Sequence, residues 1–256
     1  MRALANLLAA LACAFATPAF AQIDIGAGST FDFGNAAIDF GCSDLNVAGS
    51  ATAASGAFTN LRDLTIVAGG DFAAGASQIA LGGNFTDAGA FHAGSGSVRI
   101  VDNCGTGASQ LTGSTSFYDF LVSTTSGKQL ILPATVTQNV SHALSLAGSA
   151  GNLLQVRSSS AGQRANLAVA GSATQKIAYV TARDNAATGA AIAPGAPAAY
   201  NSVDGGNLVN WFLAAVGGGG EPVPAPGLGL IGRLLLIVGL LSAACLAVLR
   251  RRRAET

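Results

Sequence analysis

Apolar and polar positions alternate over short runs between residues 22 and 216. Apolar residues two apart point to the same face of an extended chain, so each run predicts a strand with one buried face. Clusters of Gly, Ser and Asn, which are typical of turns, separate the runs. The clearest runs are residues 64–66, 98–101, 117–122, 130–132, 144–146, 154–156, 167–169 and 177–180.

A short phrase recurs in the same region. Residues 47–51, 146–150 and 169–173 each have Ala-Gly-Ser-Ala after an aliphatic residue, and Gly-Gly-Asp-Phe at 69–72 returns as Gly-Gly-Asn-Phe at 82–85. Such self-similarity is typical of stacked β-coils, because one coil cannot bury its own apolar face. The spacing of the last two copies, which begin at positions 146 and 169, is a plausible coil length. We predict an all-β, right-handed parallel β-helix, with a β-sandwich as the alternative.

Composition supports strands and limits the partners. The chain has 34 Gly, and charged residues make up only 10% of it. Gly and β-branched residues are poor helix formers, and long Leu/Glu/Lys faces are missing from the sequence. Residues 22–226 carry twelve acidic and seven basic side chains, a net charge of −5. This balance argues against nucleic-acid binding through bulk charge.

The start of the chain has the three parts of a secretory signal peptide. Arg2 supplies the positive charge, an apolar core follows, and Ala19 and Ala21 form a small-x-small cleavage site before Gln22. We therefore expect residues 1–21 to be removed during export.

An apolar run near the C-terminus is long enough to cross a membrane. A helix of residues 227–249 would measure about 34 Å, against a hydrocarbon core of about 30 Å. Because arginines are costly to translocate, residues 250–256 are expected to form a basic cytoplasmic tail. A Gly/Pro linker at 217–226 precedes the run. The arginines that stop the membrane segment are Arg250, Arg251, Arg252 and Arg253.

The linker contains Val223, Pro224 and Pro226, directly before the apolar run and the arginines. This order resembles the tripartite C-terminal sorting signals of the PEP-CTERM class. In that family an exosortase-type membrane protease cuts near the Pro-containing motif and passes the protein to the cell surface or the exopolysaccharide matrix. The resemblance implies the membrane, such a protease, and exopolysaccharide or surface components as partners. A plain membrane anchor with a Pro-rich stalk is the alternative.

The central region carries a second resemblance. Residues 80–86, 94–98 and 117–122, together with residues 201–212 near the end of the region, are similar to parts of large bacterial surface proteins with adhesin-like β-helical repeats. This resemblance implies a surface location and a β-helical architecture. It implies no catalytic residues.

The four cysteines differ in their expected compartments. Cys13 lies in the signal peptide and Cys245 in the apolar run, which leaves Cys42 and Cys104 in the exported part. Oxidising conditions there permit a disulfide, and we expect a single Cys42–Cys104 bridge. Two unpaired buried thiols are the alternative.

No pattern predicts a catalytic, cofactor-binding or metal site. His92 and His142 are the two histidines, and their spacing does not suggest a metal site. A glycosidase needs two carboxyls about 5 to 9.5 Å apart, whereas Asp in surface proteins more often caps turns or binds Ca²⁺ weakly. The candidate carboxylates are Asp24, Asp32, Asp39, Asp44, Asp102, Asp119 and Asp184.

Together these features predict a non-enzymatic bacterial envelope protein without a cofactor. We expect a single-pass inner-membrane protein with a periplasmic β-rich domain at 22–216, either kept there or processed and released to the cell surface. Its expected role is adhesion or contact with the extracellular matrix. The alternative is a β-helical enzyme, a lyase or a hydrolase, that acts on polysaccharide.

Overall fold

Stacked turns of parallel strand form the part of the chain that the computed structural model describes, residues 22–105 and 107–213. The solenoid has about eight turns. Every pairing between its strands is parallel, from the first turn to the last. The prediction of an all-β parallel solenoid is therefore confirmed. The β-sandwich alternative is wrong, because that fold is built from antiparallel sheets.

Three sheets run along the described solenoid. The first has nine strands: β1 (Gln22–Ile25), β4 (Asp44–Val47), β7 (Leu64–Ile66), β10 (Phe85–Asp87), β13 (Ala108–Thr112), β15 (Gln129–Leu132), β17 (Leu154–Ser158), β20 (Val180–Arg183) and β22 (Val203–Asp204). The second has four: β2 (Thr30–Asp32), β5 (Ser50–Thr52), β8 (Asp71–Ala73) and β11 (Ala90–His92). The third has ten: β3 (Ala37–Asp39), β6 (Ala57–Leu61), β9 (Gln78–Leu81), β12 (Ser97–Ile100), β14 (Ser116–Ser123), β16 (Thr137–Ala147), β18 (Ala165–Val169), β21 (Asn185–Ala187) and β23 (Leu208–Val209), with β19 (Thr174–Ala178) paired to β16.

The length of a turn varies along the solenoid. In the first sheet, Leu45 pairs with Leu64 of the next turn. Later in the same sheet, Leu154 pairs with Val180, and the stretch of chain between these two partners is longer. The extra residues lie both in the strands, since β17, β18 and β19 have five residues each, and in the connection between β17 and β18.

The recurring Ala-Gly-Ser phrase does not mark one turn. Val169 pairs with Val140, and Leu146 pairs with Ile177, so the two later copies of the phrase are not aligned with each other. The spacing of 23 residues is nevertheless a turn length that occurs, since Ser116 pairs with Asn139. The phrase itself does not follow the register.

Apolar side chains from all three sheets fill the interior of the solenoid. Phe58, Phe72 and Phe120 are fully buried, and the Phe58 and Phe72 rings are stacked with centroids 6.2 Å apart. Burying one such side chain contributes roughly 1.5 to 3 kcal/mol. One continuous aliphatic column in the third sheet consists of Leu61, Leu81, Ile100, Val122, Leu146 and Ile177.

Glycines allow close approach at the corner between the first and second sheets. A Cβ atom on Gly70 would lie 2.2 Å from the carbonyl oxygen of Val47, and one on Gly89 would lie 2.3 Å from that of Gly70. Real Cβ atoms do not come so close. Any larger residue would therefore push successive turns apart at this corner.

No helix in residues 22–105 and 107–213 is long and apolar enough to cross a membrane. The 3-10 helix in this part of the chain is Pro197–Tyr200. The predicted signal peptide at 1–21, linker motif at 223–226, membrane span at 227–249 and basic tail at 250–256 lie outside the described residues. Each of them stays a prediction.

Candidate functional site

A groove opens where the second sheet ends. The last strand of the second sheet is β11. In each of the next two turns, one long strand takes the place of two short strands and the corner between them. These long strands are β14, of 8 residues, and β16, of 11 residues. The groove has a volume of about 800 Å³. The partly buried Phe91, Ala168 and Ala170 contribute apolar surface to it, whereas Phe117, Val140 and Val169 in its lining are almost fully buried. We call it the first groove.

A β-bulge lies at the first groove. Phe117 pairs with Val140 and Asp119 with Ala143, so one residue of β14, Tyr118, lies opposite two residues of β16. A bulge of this kind bends the strand and changes the direction of a side chain, and bulges are frequent next to binding sites. Here it brings Tyr118 to the lining of the first groove.

The bulge brings two rings together. Tyr118 and His142 stack with ring centroids 4.4 Å apart and an interplanar angle of 8°. The Nδ1 atom of His142 lies 2.6 Å from Oδ1 of Asp119. The His142 side chain is 54% exposed. A flat, partly exposed pair of rings therefore stands beside the groove, with the orientation of the imidazole fixed by a carboxylate.

Polar groups line the rest of the first groove. Asn139 donates from Nδ2 to Oγ of Ser116 over 3.4 Å. His92 points Nε2 towards Oδ2 of Asp71, 3.3 Å away, and both side chains are exposed. Amide, hydroxyl and imidazole groups thus surround an apolar floor, which is the usual composition of a site for a small organic ligand.

A second groove, of about 630 Å³, lies on the first sheet. Arg157 on β17 and Arg183 on β20 are in register on neighbouring strands and both line it. The Nε atom of Arg183 lies 3.3 Å from Oδ2 of Asp184. The two grooves therefore differ in charge, with two His–Asp pairs near the first and two adjacent arginines in the second.

A buried carboxylate, Asp87, lies in the interior near the start of the first groove. It is only 8% exposed, and its Oδ2 accepts a hydrogen bond of 2.9 Å from Oγ1 of Thr115. Its Oδ1 has no partner among the described residues. Burial raises the pKa of Asp87, although the hydrogen bond from Thr115 and the charge of His92 act in the opposite direction. Asp87 is not part of the lining of either groove.

Two of the candidate aspartates of the sequence analysis close turns. Asp32 accepts the N–H of Gly34, and Asp39 accepts the N–H of Gly41, each over 2.9 Å. These backbone hydrogen bonds are the main reason why the pKa of each carboxyl lies below its ordinary value. Both aspartates therefore fit the interpretation that they are turn residues.

The other candidate aspartates also have local partners. Asp44 forms an ion pair with Arg62, and Asp184 accepts a 2.6 Å hydrogen bond from Asn207. Asp24 accepts hydrogen bonds from Gln22 and Asn46, Asp102 from residues Thr124 to Ser126, and Asp119 contacts His142. In the described part of the chain, no three His, Cys, Asp or Glu side chains come together as a metal site.

Cys42 and Cys104 form a disulfide. The Sγ atoms of Cys42 and Cys104 lie 2.12 Å apart, and the residues are 62 positions apart in the chain. Cys42 follows β3 and Cys104 follows β12, at the corners that lead from the third sheet back to the first. The backbone carbonyl of Asn60 accepts the N–H of Cys42 over 2.7 Å. The disulfide therefore links the connection after the first turn to the connection after the fourth.

The predicted targeting residues fall almost entirely outside the described part of the chain. Gln22 is the first residue of β1. The remaining ones lie outside the described residues: Ala19, Ala21, Val223, Pro224, Pro226, Arg250, Arg251, Arg252 and Arg253.

Sequence reasoning missed the Tyr118–His142 pair. His142 lies on the surface of β16 and contacts Tyr118 and Asp119 of β14. The only available signal was its distance along the chain from Tyr118, which is about one turn of the solenoid.

Comparison with protein-family models, with curated proteins and with solved structures finds no match to this chain.

Proposed function

We propose that this protein is a non-enzymatic bacterial envelope protein that contacts extracellular polysaccharide through the first groove. Its location follows from the sequence: a signal peptide at 1–21, a membrane span at 227–249 and four arginines at 250–253. Its solenoid is right-handed, as parallel strand–connection–strand units are in general. The protein is either kept in the inner membrane or cut near residues 223–226 by an exosortase-type protease and released to the surface.

The stacked Tyr118–His142 pair carries the polysaccharide part of the proposal. The face of an aromatic ring is negative and packs favourably against weakly positive C–H groups, such as those on the face of a sugar ring. Hydroxyl groups of the sugar can pair with the amide of Asn139, the hydroxyl of Ser116 and the imidazole of His92, which line the groove. An apolar platform with a polar rim is suited to an uncharged glycan.

A binding assay with the full-length, detergent-solubilised protein tests this proposal. We expect retention on insoluble neutral polysaccharides, and we expect Tyr118→Ala to weaken it about tenfold, since an aromatic contact is worth about 0.5 to 1.5 kcal/mol. Tyr118→Phe keeps the ring and is the matched control, with binding near that of the wild type. The same panel should include uronic-acid polymers, which would engage the second groove through Arg157 and Arg183.

The proposal would be contradicted if the wild-type protein bound no glycan of the panel. It would also be contradicted if Tyr118→Phe lost as much binding as Tyr118→Ala. The enzyme alternative is followed in the same samples, because release of reducing or unsaturated ends would indicate a hydrolase or a lyase. The hydrogen bonds that engage the candidate aspartates favour the non-enzymatic role.

Mass spectrometry of the mature C-terminus tests the location. An end between Pro224 and Leu230 supports sorting, and an intact Thr256 supports a permanent anchor. A tag placed before Gly217 should appear outside the cytoplasm in both cases. Recovery of that tag in the cytoplasm would contradict export.

A further inference from the structure

The basic side chains of the solenoid are concentrated in its later turns. Residues 22–153 carry nine acidic and three basic side chains, a net charge of −6. Residues 154–213 carry four basic and two acidic side chains, a net charge of +2. Most of the residues that line the second groove belong to this later part, Arg157 and Arg183 among them. An anionic ligand is therefore attracted to the later turns rather than to the earlier ones.

The strand register brings the two arginines side by side. Gln110, Ile131, Arg157 and Arg183 are in register on four successive strands of the first sheet, one residue from each turn. Buried residues precede and follow Arg157 along β17, so its side chain points outwards, and Arg183 is exposed as well. Neighbouring strands lie about 4.7 to 4.9 Å apart. The two guanidinium groups thus rise from positions one strand spacing apart, close enough to share one anionic group.

The two arginines are only partly neutralised. The Nε atom of Arg183 lies 3.3 Å from Oδ2 of Asp184, whose Oδ1 accepts a 2.6 Å hydrogen bond from Asn207. Both oxygens of Asp184 are therefore engaged, and they hold Arg183 by one nitrogen. Arg157 has no hydrogen bond or ion pair within residues 22–105 and 107–213. Like charges on neighbouring strands repel each other, and a carboxylate bound between the two side chains would remove that repulsion.

Uncharged polar groups stand next to the arginines. Gln155 and Thr181 are in register on β17 and β20, and both line the second groove. The connection between β17 and β18, residues 159–164, is longer than that between β15 and β16, residues 133–136, and Ser159 at its start also lines the groove. Amide and hydroxyl groups both donate and accept hydrogen bonds, as the hydroxyl groups of a sugar do.

We propose that the second groove binds an acidic sugar of a polysaccharide and holds its carboxylate between Arg157 and Arg183. The planar fork of a guanidinium group matches the two oxygens of a carboxylate. The hydroxyl groups of the same sugar pair with Gln155, Thr181 and Ser159. The groove, of about 630 Å³, is within the usual range for a ligand site.

This site shares no lining residue with the first groove. Binding of acidic sugars does not depend on the proposed contact between the first groove and neutral glycans. Tyr118→Ala tests the first groove and Arg157→Gln tests the second, so the failure of one proposal is distinguishable from the failure of the other.

Titration calorimetry of the full-length protein in a neutral detergent tests the second groove, with oligogalacturonate as the probe. The wild-type protein should bind this oligomer, and added salt should weaken the binding. Arg157→Gln and Arg183→Gln should each weaken it about tenfold, because each removes charged hydrogen bonds to the carboxylate. Arg157→Lys keeps the charge without the fork and should also bind more weakly than the wild type. The methyl ester of the oligomer lacks the charge, and any binding of it should not respond to Arg157→Gln.

Arg99→Gln is the matched control, because it removes the same charge from an exposed position on β12 of the third sheet. It should bind like the wild type, and unchanged far-UV circular dichroism confirms that all variants fold. A wild-type protein that does not bind the oligomer overturns the proposal. Equal losses in Arg99→Gln and Arg157→Gln also overturn it, because bulk charge would then be the cause. Equally tight binding of poly-glutamate with the same dependence on Arg157 overturns it as well, since the groove would then be a site for acidic protein segments.

Discussion

Asp87 occupies a position that is apolar in the preceding turns. Ile25, Val47 and Ile66 fill the equivalent positions, and each points into the interior. The carboxylate of Asp87 keeps one hydrogen bond, from Thr115, and its second oxygen has no partner in the described part of the chain. An unsatisfied buried polar atom is costly, so this residue is expected to weaken the fold.

We predict that Asp87→Asn stabilises the protein at neutral pH by about 1 kcal/mol, because it removes a buried charge and keeps the shape. Burial raises the folded-state pKa of Asp87 above its unfolded value. Its contribution to stability is therefore fully present below the unfolded pKa and is lost as the pH rises through the folded pKa. The stability gained by Asp87→Asn should therefore decrease as the pH falls. Denaturant titrations of the wild type and the variant at several pH values measure this gain.

Asp102→Asn is the control, and we expect it to change the free energy of unfolding in the opposite direction. Burial raises the pKa of Asp102, but hydrogen bonds from Thr125, Thr124 and Ser126 outweigh it, and the net pKa is lowered. Its contribution is present above the unfolded pKa and is lost as the pH falls through the folded pKa. Asp102→Asn should therefore destabilise the protein at neutral pH. A stability gain for both variants would contradict this account.

At the scale of elements, alternation located strands of the first and third sheets. The run at residues 64–66 is β7, and the run at 117–122 lies within β14. The run at 177–180 was wrong as a single strand, because Tyr179 has φ of 55° and separates β19 from β20. Strands β2 and β8 of the second sheet were not predicted, because each has a single large apolar residue, Phe31 or Phe72, and therefore shows no alternation.

The bulge at the first groove could not be predicted from periodicity. The bulge depends on which residue of β14 pairs with which residue of β16. This register is set by the length of the chain that runs from β14 through β15 to β16. Turn length is not constant, as the Leu45–Leu64 and Leu154–Val180 pairs of the first sheet show. A one-residue error in register would move a side chain to the opposite face. The stacking of Tyr118 on His142 was therefore outside the reach of the sequence pattern.

The disulfide links the connection after the first turn to the connection after the fourth turn. Its cysteines are 62 residues apart, and closing a loop of this length in the unfolded chain is worth about 4 kcal/mol in the chain-entropy model. We predict that reduction, or the double variant Cys42→Ser with Cys104→Ser, lowers the free energy of unfolding by up to that amount. Denaturant titration with and without reductant measures the difference.

The double variant is also the control, because added reductant should not change its stability. If the wild-type protein unfolded at the same denaturant concentration with and without reductant, the bridge would have no role in stability. Protection of β4 to β12 in hydrogen exchange should fall first on reduction, since these strands lie between the two cysteines.

At the scale of the whole molecule, stability is a sum over neighbouring turns. The strands of each turn pair only with those of the turns before and after it, so damage in one turn mainly weakens its two interfaces. The Cys42–Cys104 bridge adds a link of longer range. Central turns have two such interfaces and terminal turns have one. The same geometry leaves apolar side chains exposed in the end turns, such as Phe31 in the first.

This geometry predicts different effects for two phenylalanines. Phe120, in the central strand β14, is fully buried between Val98 and Leu144 of the adjacent strands, and its ring stacks on Phe117 with centroids 4.6 Å apart. Phe120→Ala should cost about 3 to 5 kcal/mol. Phe31 is 51% exposed in the first turn, and Phe31→Ala should cost much less.

Hydrogen exchange followed by mass spectrometry distinguishes the two variants along the chain. Phe120→Ala should speed exchange in β12, β14 and β16, which share its interfaces, and should leave β1 and β4 close to wild type. Phe31→Ala should change only the first turns. A uniform increase along all strands in Phe120→Ala would mean that the solenoid unfolds as one unit, and the nearest-neighbour account of its stability would be wrong.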